Sequence, residues 1–249
     1  MPLSITPVHP EGPRYRAPVL FVPGFWVGAA VWRRAASLFA HRGWESWLVD
    51  PGRGGGVAAR AEALAEVAAE LGRPPVVIAA DAAGVVALET ARRTAVAAFV
   101  WVAPVLPGGS ALRRVVSPWS VLAGLLIGRP VGRPGAWAAE ATGAEWLRDE
   151  EEAAFVVDVV RGRIHVRSSG VPTALVVGEH DRSCGADDRA ALVARLGAEL
   201  LVVPAAGHWP LASGQWQEPA SVVHRWLVRR LGETLLEFYE EAMAERDDD

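Results

Sequence analysis

Residues 76–91 read VVIAADAAGVVALETA. The run 76–79 is apolar without interruption, as in a short strand buried on both faces, and Pro74 and Pro75 separate it from the helix before it. From 83 to 93 the apolar residues recur at helical spacing. Asp81 stands where the strand passes into the helix. A side chain carried on so sharp a bend needs small residues two before and two after it, because strand and helix approach closely there. With Asp81 at the apex those residues are Ala79 and Ala83, and Gly84 adds another. With Ala82 at the apex they are Ala80 and Gly84, and Val85 falls in the crowded position. The residues favour the register with Asp81 at the apex.

The same alternation extends outward. Residues 19–22 (VLFV) form a strand, and a helix runs from the following glycine turn to about 41. Residues 45–50 (ESWLVD) form the next strand and end in PGRGGG, a loop tight enough to demand glycine. A helix covers 57–71, and a strand at 97–102 is closed by Pro104. Strands at 173–177 (TALVV) and 199–203 (ELLVV) follow later, and a last helix begins near 221. Strand and helix in such regular turn predict an α/β fold, with a mostly parallel central sheet and flanking helices. Between 107 and 170 the alternation stops. Helical pieces at 117–128, 134–146 and 149–160 predict a short helical lid inserted into a core formed by 1–106 and 171–249. The acidic end, 245–249, reads as a solvated terminus.

The bulk properties narrow the function. The chain has 249 residues, 51% of them hydrophobic, and a net charge of −4. That suits one sizeable core and offers no basic face to nucleic acid or to an anionic membrane. All 25 basic residues are arginine, and one cysteine, Cys184, rules out an intrachain disulfide. The N-terminus does not read as a signal peptide, and the longest central apolar stretch, 115–127, is too short to span a bilayer. These features lead us to expect a cytoplasmic protein acting on a small molecule, as a monomer or homodimer, with no cofactor and no metal. His9, His41, His165, His180 and His224 read as surface residues, and no pair of them is spaced for a metal.

Three loops at strand C-termini gather the reactive side chains, which is where open α/β sheets bind ligands. They carry Asp81, then Asp181 in GEHDRSCG (178–185), then His208 in PAAGHWPL (204–211). A turn residue is the plain alternative for Asp181, and a satisfied core histidine for His208. The order nucleophile, acid, histidine is that of the α/β-hydrolases, and the chain resembles that superfamily over nearly its whole length. VLFVPGFW resembles the family's oxyanion loop, with Pro23 where a histidine is usual, and DPGRGGG resembles its glycine loop. The resemblance implies an oxyanion hole made by the backbone N–H groups of Phe25 and Ala82.

An aspartate at the elbow resembles the epoxide hydrolases and haloalkane dehalogenases of this superfamily. A carboxylate is nucleophilic without a base. Attack on a saturated carbon gives an alkyl ester, which His208, oriented by Asp181, would hydrolyse with an activated water. Two features depart from that pattern. The chain's two tyrosines, Tyr15 and Tyr239, lie outside the insertion, so the cap tyrosines of epoxide hydrolases are missing. Ala82 stands where haloalkane dehalogenases place a halide-binding tryptophan. Indole N–H groups can substitute, and Trp26, Trp119, Trp137, Trp146 and Trp209 are the candidate substrate-binding residues among the 11 tryptophans. Two other readings stay open: acid/base catalysis of an isomerisation, cyclisation or elimination in a biosynthetic pathway, and a pseudo-hydrolase that only binds.

Overall fold

A computed structural model of the chain describes residues 3–51, 54–109, 116–127, 129–134, 144–162, 164–212 and 214–231. Its strands are β1 (Ser4–Val8), β2 (Val19–Val22), β3 (Ser46–Asp50), β4 (Val76–Ala80), β5 (Ala98–Val102), β6 (Val131–Gly132), β7 (Glu150–Glu151), β8 (Thr173–Gly178) and β9 (Glu199–Val203). Its α-helices are α1 (Arg33–His41), α2 (Val57–Glu70), α3 (Ala83–Thr90), α4 (Pro118–Ile127), α5 (Ala153–Arg161), α6 (Ala186–Leu196) and α7 (Gln217–Leu231). Seven strands form one sheet in the order β1-β3-β2-β4-β5-β8-β9. Only β1 runs antiparallel to its neighbour. Every residue of β2, β4, β5 and β8 is buried, as expected of parallel strands covered on both faces. At the edge, β9 alternates, with Leu200 and Val202 turned to solvent.

The structure adds elements that periodicity did not reveal. Strand β1 contains Pro7, which weakens a strand reading, but an edge position tolerates a residue with no N–H to donate. Helix α7 starts at Gln217, before the expected 221, because Pro219 fits a first helical turn. Helix α3 stops at Thr90 and gives way to a turn. Within 107–170 the sequence shows no strand, yet β6 and β7 pair as a two-residue antiparallel ribbon, too short to leave a pattern. The expected helix at 134–146 falls mostly outside the described residues, as does the acidic end.

Close packing sets the bend after β4. The Asp81 N–H continues the β4–β5 ladder by donating to Val102 O at 2.8 Å, and the Trp101 indole N–H donates back to Asp81 O at 2.5 Å. That indole lies against Gly84, where an added Cβ would come within 2.1 Å of it. Gly84→Ala is therefore expected to lower stability by roughly 1–3 kcal/mol through overpacking, several degrees in Tm by thermal unfolding. A variant that melts with the parent would show that Trp101 does not hold this turn.

Candidate active site

Asp81 sits at the apex of the turn with φ +55°, a left-handed angle that costs most residues energy and that aspartate tolerates better than most. Ala82, at φ −69°, is helical, so the bend is centred on Asp81, as the small residues around it suggest. The carboxylate is fully buried. Its Oδ2 accepts the Phe25 N–H at 3.1 Å, and its Oδ1 accepts the Ala82 N–H in a short contact. The two amides expected to form an oxyanion hole thus converge on Asp81 itself. Gly24 allows the approach, since a Cβ there would lie 2.6 Å from the Asp81 Cβ.

The second half of the site comes from the ends of β8 and β9. The His208 loop passes so close over β8 that a Cβ on Gly178 would meet Gly207 O at 2.1 Å. This brings His208 Nδ1 to 3.2 Å from both carboxylate oxygens of Asp181. A carboxylate only accepts, so Nδ1 carries the proton and Nε2 is the basic nitrogen. The Ser183 N–H also donates to Asp181 Oδ1 at 2.8 Å. Burial alone would raise the Asp181 carboxyl; the hydrogen bond and charge of His208 and the bonds from Ser183 outweigh it and hold the group below its ordinary range.

Asp81 behaves in the opposite way. Loss of water raises its carboxyl from 3.8 to about 7. The charge of His208 and the amides of Ala82 and Phe25 pull it down, and the charge of Glu151 adds a small push upward. Two buried acids on one site are held on opposite sides of their ordinary value, a pattern typical of reactive carboxyls.

The tryptophans divide. The Trp209 ring stands edge-on to His208 with centroids 4.8 Å apart, and Trp146 packs on Trp209 at 5.1 Å. Trp26 is fully buried and its indole donates to Val131 O at 2.9 Å, so that N–H serves the fold, not a substrate. Trp119 is 78% exposed on α4; its side chain faces solvent. Trp137 lies outside the described residues. Among the histidines read as surface groups, His9, His41, His165 and His180 are exposed. His224 is instead packed between Tyr15, Phe39 and Trp44, and burial depresses it to about 4. Among the described residues no group of His, Cys, Asp and Glu side chains could hold a metal ion, and no helix is long and apolar enough to cross a membrane.

Sequence reasoning missed Glu151 and Arg60. Glu151 accepts the Trp26 N–H at 3.1 Å and Arg60 Nη2 at 2.7 Å, all of it buried. Glu151 sits in the acidic run 149–152, which gives no hint of burial. Arg60 left a faint signal, since it interrupts the apolar face formed by Val57, Ala61, Leu64 and Ala68.

Residues 19–224 match the alpha/beta hydrolase family. The chain matches no curated protein. Among solved structures it is similar to a monoacylglycerol lipase of Paleococcus ferrophilus, at 17% identity and TM-score 0.74, covering 92% of this chain and 100% of that one. It is also similar to a thermophilic esterase of Thermogutta terrifontis, at 19% identity and TM-score 0.70, covering 92% and 94%. A third is an alpha/beta hydrolase of a Penicillium species, at 20% identity and TM-score 0.64, covering 93% and 100%.

The raised Asp81 carboxyl has a consequence for stability. Folding tightens its hold on the proton, so its contribution is complete below about pH 4 and is lost as pH rises through about 7. Asp81→Ser lacks that loss. Its Tm relative to the parent is expected to climb by up to roughly 10 °C from pH 4 to pH 7.5, read by calorimetry at matched ionic strength. Parallel curves would contradict the buried, shifted carboxyl.

Proposed function

The chain belongs to the alpha/beta hydrolase family, and from that premise we propose that it cleaves a small, mainly apolar epoxide-like substrate through an ester on Asp81. The observation that carries this reading is the seating of the Asp81 carboxylate on the Phe25 and Ala82 amides. In a serine esterase those donors wait for the substrate's carbonyl oxygen. Here they are occupied by the side chain at the elbow, which disfavours acyl transfer of the esterase kind and suits a carboxylate that is itself to be esterified and then hydrolysed.

The steps follow from this arrangement. An ionised Asp81 oxygen attacks the substrate carbon, and the C–O bond of the strained ring breaks with its electron pair on the departing oxygen, which is stabilised by an N–H hydrogen bond and takes a proton from solvent. The Trp146 indole, packed against the Trp209–His208 pair, is the N–H we assign to that oxygen in place of a cap tyrosine. His208 Nε2 then removes a proton from water, which attacks the Asp81 ester carbonyl. The resulting oxyanion lies where an Asp81 oxygen already meets backbone N–H groups. Collapse expels the product alkoxide, which takes the proton from His208, and the Asp81 carboxyl releases its remaining proton to solvent, restoring the one taken at ring opening, to return as a carboxylate.

A second reading has its own support. A carboxyl near 7 is populated in both protonation states at neutral pH, so Asp81 could act as acid and base in a proton-transfer reaction without forming an ester.

His208→Gln separates the two. The variant, incubated with a panel of epoxides and haloalkanes, is expected to stall after the first step and gain the mass of the substrate fragment by intact-protein mass spectrometry. Its turnover should fall by about 10²–10⁴-fold, and the double variant with Asp81→Ala should gain no mass. A substrate turned over by the parent that leaves no adduct on His208→Gln would sink the ester and favour proton transfer.

A further inference from the structure

One carboxylate of the insertion bonds to the oxyanion loop directly. Glu151, in β7, is 7% exposed. Its Oε2 accepts the Trp26 N–H at 3.1 Å, and its Oε1 accepts Arg60 Nη2 at 2.7 Å and the Glu152 N–H at 2.9 Å. Trp26 directly follows Phe25, whose N–H holds Asp81 Oδ2. Two consecutive amides of the oxyanion loop thus grip two different carboxylates, Asp81 with the first and Glu151 with the second.

The loop depends on that second grip. Trp26 is held at φ +52°, a left-handed angle that a tryptophan keeps only when its surroundings impose it. Glu151 fixes its N–H. Its carbonyl accepts the Arg148 N–H at 2.7 Å, and its indole donates to Val131 O, opposite Glu151 in the β6–β7 ribbon. Arg60 extends the grip to the other side of Phe25. Its guanidinium lies 4.0 Å over the Phe155 ring, and Phe155 packs on the Phe25 ring at 4.7 Å. Glu151 therefore touches the backbone after Phe25 and, through Arg60 and Phe155, supports its side chain.

We propose that Glu151 is a positioning residue, which fixes the Phe25 amide against Asp81 and sets the charge environment in which Asp81 ionises. This rests on the reading of Asp81 as the reacting group, but its test needs no turnover. The charged groups that face Asp81 are His208, which favours the ionised form, and Glu151, which opposes it. Arg60 backs Glu151 and Asp181 backs His208. Loss of the Glu151 charge should ease ionisation of Asp81.

The experiment is a pH titration of the ¹⁵N-labelled full chain, followed at the Phe25 and Ala82 amides that touch the Asp81 carboxylate. In the parent both amides should move together with one midpoint. Glu151→Gln keeps an oxygen for the Trp26 N–H and drops the charge, so the midpoint is expected at lower pH. Arg60→Met combined with Glu151→Gln removes both charges and keeps the packing, which guards against a single variant that leaves Arg60 buried and unpaired; the shift should have the same sign. Glu151→Ala also removes the acceptor, and solvent exchange at the Trp26 and Phe25 amides should quicken roughly tenfold. An unmoved midpoint in both charge variants, with a normal parent titration, would overturn the role of Glu151 alone. A parent in which neither amide titrates would overturn the seating of Asp81, and this proposal with it.

Discussion

A carboxylate cut off from water, held by the N–H groups of Phe25 and Ala82, is the contact around which the C-terminal edge of this sheet is arranged. A buried charge is costly unless hydrogen bonds or an opposite charge meet it. The chain meets Asp81 with two amides from two separate loops and with a histidine from a third. Each demand leaves a mark on the backbone. Asp81 and Trp26 both adopt left-handed angles, Gly24 gives up a side chain so that the loops can touch, and Gly84 does the same so that Trp101 can brace the turn.

The electrostatic result is a pair of acids with opposite tendencies. Asp181 gains enough from His208 and Ser183 to stay ionised, while Asp81 does not gain enough to offset its burial. That division of labour suits an orienting acid and a reactive one. The insertion is a partner in it. Beyond the Glu151 contacts, the Asp158 carboxylate accepts the Val57 N–H at 2.9 Å at the start of α2, where a negative charge also complements the helix dipole. Glu151 and Asp158 thus tie the insertion to α2.

Much of this was legible in the sequence because the signals were local. The uninterrupted apolar strands read correctly from a handful of neighbours, and the small residues around Asp81 and the loops carrying Asp181 and His208 were equally local features. The structure brings Asp181 and His208 together and seats Asp81 on the amides of Phe25 and Ala82. What did not read was non-local. Nothing in the run 149–152 says that Glu151 turns inward, since its reason is an arginine 91 residues away. Trp26 and Trp119 look alike as tryptophans near a site, yet one spends its N–H on a carbonyl of the β6–β7 ribbon and the other faces solvent. Partners chosen across the fold leave no period in the chain.

The central claim is that an oxygen of Asp81 passes into the product. A single turnover in H₂¹⁸O, with enzyme in excess over a substrate, tests it directly by mass spectrometry of the product and of the peptide containing Asp81. The account predicts an unlabelled product and one ¹⁸O in that peptide, because water attacks the ester carbonyl of Asp81 and not the substrate carbon. Label in the product with none in the peptide would contradict it, and would make His208 the base for direct attack by water.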